Sequence, residues 1–124
     1  MDYRKPRASG QKIDGDDEKL KVVYVYDHNY AQKGLGMGGS KSAKAESPKS
    51  GIRMNVYTDL PGLQFYAGNT TRDIIGKGGV LITKNSGFCM ESHYYAKSII
   101  TSNFTQPMPD KGGLYKTTTI YQFT

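Results

Sequence analysis

The sequence has no tryptophan, a single cysteine and no long apolar run. Cys89 alone cannot close an intramolecular disulfide, so the cysteine count gives no sign of an oxidising compartment, and we expect a cytoplasmic protein. No apolar segment follows Met1, and no stretch approaches the roughly 18 residues that a membrane-spanning helix needs. The sequence therefore predicts neither a secretory signal nor a membrane partner.

The charge pattern argues against binding to nucleic acid. The 17 Lys and Arg residues outnumber the 11 Asp and Glu residues and give a net charge of +6, which raises the question of anionic partners. The basic residues near the N-terminus are followed at once by acidic residues, and the other lysines are scattered rather than interleaved with aromatic residues. We therefore expect no nucleic-acid partner.

Short strand-like segments make up most of the remaining chain. The segment 52–58, IRMNVYT, alternates apolar and polar residues, as a half-buried strand does, and 20–26, LKVVYVY, is apolar on both faces. Other strands are predicted at 63–68, 80–83, 86–92 and 115–123. DHN at 27–29 is interpreted as a turn or strand end, and composition predicts loops at 31–51 and 96–113. No window has sustained helical periodicity, so the prediction is one all-β domain over 1–124.

Two glycine-rich stretches resemble phosphate-binding motifs only formally. GLGMGG at 34–39 matches the spacing of a dinucleotide fingerprint, but no helical pattern follows it to carry a pyrophosphate. GKGG at 76–79 lacks the following Ser or Thr and is interpreted as a hairpin turn. Two histidines and one cysteine offer no zinc-ligand spacing, so we expect no metal and no cofactor.

Cys89 and His93 suggest a nucleophile and base, but strand geometry separates them. Four positions along one strand span roughly 13 Å, so the two side chains share a face without reaching each other. Glu91 shares that face with Gly87 and Cys89, and small neighbours leave room above the sheet for a ligand. From the pattern alone, Glu91 is either a catalytic carboxylate or an ordinary solvated surface acid.

An ordered set of motifs resembles the C-terminal part of the aldose 1-epimerase (galactose mutarotase) family. The set comprises MDYRKP, YDHNY, SPKSGIRMNVYTDLPGLQFYAGN, IGKGG, SGFCMES and the terminal TTIYQF, and it covers nearly the whole chain. The resemblance implies the C-terminal part of a galactose-mutarotase-like β-sandwich, incomplete as a stand-alone domain. It also implies a polar strand over 41–46, where composition predicts a loop.

The resemblance assigns roles to three residues. Glu91 corresponds to the general base, and Asp27 and Gln64 correspond to groups that hydrogen-bond sugar hydroxyls. Mutarotation of a hexose removes the anomeric proton and protonates the ring oxygen, so the ring opens and closes on the other face without a cofactor. Directional hydrogen-bonding groups suit a polyhydroxyl ligand.

The family's histidine acid and an arginine belong to an N-terminal part with no counterpart here. We therefore expect a truncated form that is close to inactive alone. Inner-face residues such as Phe65, Phe88 or Met90 would lack partners, which favours pairing with a missing N-terminal half or self-association. The alternative is a non-catalytic carbohydrate-binding remnant of the same fold.

Overall fold

The computed structural model describes residues 2–10, 26–32 and 41–124 of the chain. These residues form eight strands: β1 (Asp27–Ala31), β2 (Lys41–Glu46), β3 (Arg53–Thr58), β4 (Gly62–Tyr66), β5 (Ile74–Ile75), β6 (Leu81–Ile82), β7 (Cys89–His93) and β8 (Thr119–Phe123). Two short 3₁₀ turns, Lys77–Gly79 and Ser98–Ile100, are the only helical elements of this part of the chain. The predicted all-β class is confirmed.

The strands form three sheets, with orders β1-β4-β7 (the first sheet), β2-β3-β8 (the second sheet) and the hairpin β5-β6. The chain divides into two compact units. Unit 1 consists of Met1–His28 and Phe65–Cys89, and unit 2 consists of Asn29–Gln64 and Met90–Thr124. Each strand of the first sheet contributes residues to both units, whereas the second sheet belongs to unit 2.

Strand β3 forms the centre of the second sheet, as its alternation predicts. It pairs antiparallel with β2 on one side and with β8 on the other. Val56 and Thr58 are 0% and 2% exposed, whereas Asn55 and Tyr57 lie on the opposite face and hydrogen-bond the side chain of Gln122. Burial of the β-branched side chains on one face stabilises the sheet.

The core of unit 1 is a cluster of aromatic rings. Tyr26 and Phe65 are 1% and 8% exposed, and their ring centroids lie 6.0 Å apart. The ring of Tyr3 packs edge-on against Tyr26, with centroids 5.6 Å apart, and at a tilt against Phe65, with centroids 5.7 Å apart. Such tilted and edge-on pairs add specific geometry to the burial of apolar area. The prediction that Phe65 would lack partners is therefore wrong. Phe88 has Phe65 as a ring partner at 6.1 Å but remains 47% exposed, and Met90 is half-buried.

Two predictions need correction. Of the two interpretations of DHN, the turn is wrong, because β1 begins at Asp27 and continues to Ala31; Asp27 does lie at a strand terminus, but it begins the strand. Lys41–Glu46 is a strand, as the resemblance implied, although it lacks β-branched residues. Its pairing with β3 supplies the backbone bonds, and Glu46 forms ion pairs with Lys44 at 2.8 Å and Arg53 at 3.3 Å.

The other predicted segments agree with the structure, differ from it in length or lie outside the described residues. The predicted turn at 76–79 joins β5 to β6, residues 96–113 contain no strand, and the C-terminal strand is shorter than predicted. The predicted strand at 20–26, apart from Tyr26, and GLGMGG at 34–39 lie outside the described residues. Within the described part of the chain, no helix has the length and apolar character needed to cross a membrane.

Candidate functional site

The register of β1 against β4 follows from two backbone hydrogen bonds. The N–H of Ala67 donates to the carbonyl of Tyr26, and the N–H of Gln32 donates to the carbonyl of Pro61, each at 2.9 Å. The order of these partners makes the two strands antiparallel. In this register Asn29 lies opposite Gln64, and both belong to unit 2.

The register of β4 against β7 follows from two close approaches at glycines. A Cβ atom built on Gly62 would lie 2.9 Å from the carbonyl oxygen of His93, and one built on Gly68 would lie 2.7 Å from the carbonyl oxygen of Gly87. Both approaches fit one antiparallel register, in which Gln64 lies opposite Glu91. The Cβ atoms of directly opposed residues are roughly 4.5–5.5 Å apart.

The two side chains also share a face of the sheet. Phe65 and Phe88 lie on one side of the sheet, since their ring centroids are 6.1 Å apart. Successive side chains alternate between faces, so Gln64 on β4 and Glu91 on β7 both point to the other side. Ser92 supports this assignment, because its Oγ accepts a 2.7 Å hydrogen bond from Thr119 of the second sheet and therefore points away from the Glu91 face.

A row of three polar residues thus crosses the first sheet within unit 2: Asn29 on β1, Gln64 on β4 and Glu91 on β7. We call it the amide–carboxylate row. Asn29 and Gln64 are half-buried, and Glu91 is exposed. Among the described residues none hydrogen-bonds or ion-pairs with the Glu91 carboxylate, so both of its oxygens are available to a ligand.

Asp27 lies in unit 1, where the register places it opposite Tyr66. The Tyr66 hydroxyl pairs with Thr70 Oγ1 at 2.6 Å and accepts the Thr70 N–H at 3.1 Å. The bond with the Thr70 hydroxyl lowers the pKa of Tyr66 most, and the bond with the Thr70 N–H lowers it further. The negative charge of Asp27 raises it. The structure therefore brings Gln64 and Glu91 together in unit 2, and it places Asp27 opposite Tyr66 in unit 1.

The side chains of Cys89 and His93 do not form a dyad. The strand β7 continues from Cys89 to His93 and exposes alternate residues, so the two groups stay four positions apart on one face, as predicted. The Nδ1 atom of His93 hydrogen-bonds the carbonyl of Tyr94. A ring that donates from Nδ1 presents only an acceptor at Nε2 when neutral, which does not suit a general acid.

Sequence reasoning missed Asn29. A strand prediction for DHNYA would have placed it on the same face as Asp27 by alternation, but the turn interpretation of DHN hid that signal.

Comparison with known proteins gives the family. The family model described as aldose 1-epimerase matches residues 1–122. The chain belongs to the aldose 1-epimerase family. It is 34% identical to the galactose mutarotase of Homo sapiens over 129 residues, which is 100% of this chain and 35% of the relative. It is 29% identical to the aldose 1-epimerase of Escherichia coli K12 over 127 residues, which is 99% of this chain and 36% of the relative.

The match to the aldose 1-epimerase family runs through all three strands of the first sheet, β1, β4 and β7. The chain spans about a third of the length of the curated relatives it matches.

Proposed function

We propose that this chain supplies the general base and part of the sugar-binding surface of an aldose 1-epimerase. The observation that supports the proposal is the pairing of Gln64 with Glu91 on one face of the first sheet. A carboxylate that takes a proton and an amide that both donates and accepts hydrogen bonds suit a sugar with neighbouring hydroxyl groups.

In this mechanism Glu91 removes the proton from the anomeric hydroxyl of a hexose such as glucose or galactose. The electron pair of that O–H bond forms the aldehyde carbonyl as the bond between the anomeric carbon and the ring oxygen breaks. A general acid protonates the ring oxygen, and the reverse steps after rotation give the other anomer. Gln64 would hold a hydroxyl of the same sugar, and Asp27 is the second group proposed to bind hydroxyls.

The acid is proposed to come from a segment outside these 124 residues. His28 and His93 are the only imidazoles in the chain. His93 bonds its neighbour's carbonyl through Nδ1, and His28 stands between Asp27 and Asn29 on β1, so alternation points it to the other face of the strand from Asn29. Without the acid, we expect the isolated chain to be close to inactive, because proton transfer to the leaving oxygen typically contributes a factor of about 10²–10⁴.

The state of the single thiol supports a proposal for the cellular compartment. Cys89 is exposed and unpaired by any disulfide, which fits a reducing compartment, and we place the protein in the cytoplasm.

The test supplies the rest of the enzyme. The chain is fused to the N-terminal segment of the Escherichia coli aldose 1-epimerase, replacing the stretch that it matches, and the optical rotation of fresh α-galactose is followed. We expect Glu91→Gln to slow the fusion protein by about 10² or more, since Gln cannot accept the proton.

A matched control is Glu46→Gln, which removes an exposed strand glutamate of unit 2 that is paired with Lys44 and Arg53. We expect no change in rate for this variant. An active fusion protein that tolerates Glu91→Gln would overturn the assignment of the base. Sugar-induced shifts of the Gln64 side-chain amide without anomer exchange would instead support the non-catalytic carbohydrate-binding alternative.

A further inference from the structure

The side chain of Asn29 crosses the middle strand of the first sheet. Asn29 lies on β1, and its Nδ2 donates a 3.3 Å hydrogen bond to the carbonyl of Tyr94, the residue that follows β7. The sheet order is β1-β4-β7, so this bond joins the two outer strands above β4. A side-chain bond between strands that are not neighbours in a sheet needs an open path over the strand between them.

Gly62 provides that path. A Cβ atom at position 62 would lie 2.6 Å from Oδ1 of Asn29, which would have to move away, and 2.9 Å from the carbonyl oxygen of His93, which is backbone and cannot swing aside. Gly62 does not have a positive φ, so a glycine is required here for space rather than for an unusual backbone conformation. The Asn29 side chain therefore packs directly over Gly62.

This packing lies in the amide–carboxylate row. Asn29 is opposite Gln64, and Tyr94 follows Glu91 by three residues on β7 and its extension. A strand can slip by two residues without turning its side chains to the other face, so alternation alone does not hold Glu91 level with Gln64. A bond from β1 to the end of β7 opposes that slip.

We propose that Asn29 is a positioning residue of the candidate site: by bonding Tyr94 across Gly62, it holds Glu91 opposite Gln64. The geometric part stands on the contacts above, and the consequence for catalysis rests on the proposed function. Asn29 needs its amide for this task, because the carboxylate of an Asn29→Asp variant presents only acceptors to the Tyr94 carbonyl.

The first measurement uses the 124-residue chain alone and does not depend on activity. The chemical shifts of the Gln64 side-chain NH₂ group are followed by NMR while the pH is varied. The part of the pH-dependent shift change that Glu91→Gln abolishes is assigned to the charge of Glu91, and we call it the Gln64 response. We expect Asn29→Ala to reduce this response to less than half. Gly62→Ala is a second variant that keeps Asn29 but places a Cβ against both Asn29 Oδ1 and the His93 carbonyl, and we expect the same reduction.

The matched control is Asn55→Ala, which removes another cross-strand amide bond, from Asn55 Nδ2 to Gln122 Oε1 at 3.4 Å on the second sheet. We expect this variant to keep the full Gln64 response. Folding of each variant is checked by dispersion of the amide spectrum. Retention of the full response in folded Asn29→Ala or Gly62→Ala would overturn the proposal.

The second measurement uses the fusion protein and separates positioning from general stability. Misplacement of a base lowers kcat, and we expect Asn29→Ala to lower it about tenfold or more while KM changes less than about threefold. An unchanged kcat would also overturn the positioning role. If the wild-type fusion is inactive, the proposed function fails, and the Gln64 response still decides the role of Asn29.

Discussion

Replacing Thr58 by valine tests a chain of hydroxyl groups that joins β3, β8 and β7 within unit 2. Thr58 is 2% exposed, and its Oγ1 lies 3.2 Å from Oγ1 of Thr119. Thr119 uses its one hydroxyl hydrogen to donate to Ser92 at 2.7 Å, so Thr58 must donate to Thr119. The Thr58 oxygen in turn accepts the N–H of Leu60 at 3.1 Å.

The magnitude follows from what valine leaves behind. It has the shape of threonine but no acceptor, so the buried N–H of Leu60 loses its partner at a cost of about 1–3 kcal/mol in the free energy of unfolding. Thr119 is half-buried, and its lost acceptor bond adds about 0.5 kcal/mol. With an unfolding entropy near 0.26 kcal/mol/K for a chain of this length, a loss of about 2 kcal/mol lowers the melting temperature by ~8 °C.

Thermal unfolding followed by circular dichroism measures this effect. Thr105→Val is the matched control, because Thr105 lies exposed in the segment between β7 and β8. We expect the control to stay within about 1 °C of the wild type. Thr58→Ser keeps the hydroxyl and should recover at least half of the loss. A Thr58→Val protein with the same melting temperature as the Thr105→Val control would refute this account of the hydroxyl chain.

Three other outcomes are expected. Val56→Ala, at a site that is 0% exposed, should cost about 1–3 kcal/mol in urea unfolding, and a smaller cost would contradict its place in the core. The Thr117 hydroxyl, with the Thr118 N–H, holds the pKa of Asp59 below its usual value. Asp59→Asn should therefore destabilise the protein above about pH 4 and approach the wild type below it, and a pH-independent difference would count against this linkage. The exposed Cys89 should react with a thiol reagent in the folded protein, and protection until unfolding would contradict its exposure.

The sequence predicted the strands whose own residues alternate between apolar and polar. The alternation of 52–58 reports burial of one face, and the structure buries that face of β3. Lys41–Glu46 has no such signal, because its strand form depends on pairing with β3, which includes an ion pair between Glu46 and Arg53 of that strand. Composition describes the segment itself and not its neighbours, so it predicted a loop.

The candidate site shows the same division. Alternation correctly placed Glu91 on the face of Cys89 and away from Ser92. Its neighbour Gln64 is 27 positions earlier in the sequence, and only the register of β4 against β7 brings the two together. Residue patterns within one strand carry no information on that register, so only the family resemblance assigned Gln64 and Glu91 to one site, and their opposition came from the structure.

Alternation along β7 gives the two faces of this strand different tasks. Ser92 accepts a hydrogen bond from Thr119, and the carbonyl of Met90 accepts one from the Tyr121 hydroxyl at 2.7 Å, so contacts with the second sheet hold the strand. Glu91, between these two residues, points to the other face and takes no part in those contacts. Because these contacts avoid its carboxylate, the charge of Glu91 can change in the proposed proton transfer without disturbing the bonds between β7 and the second sheet.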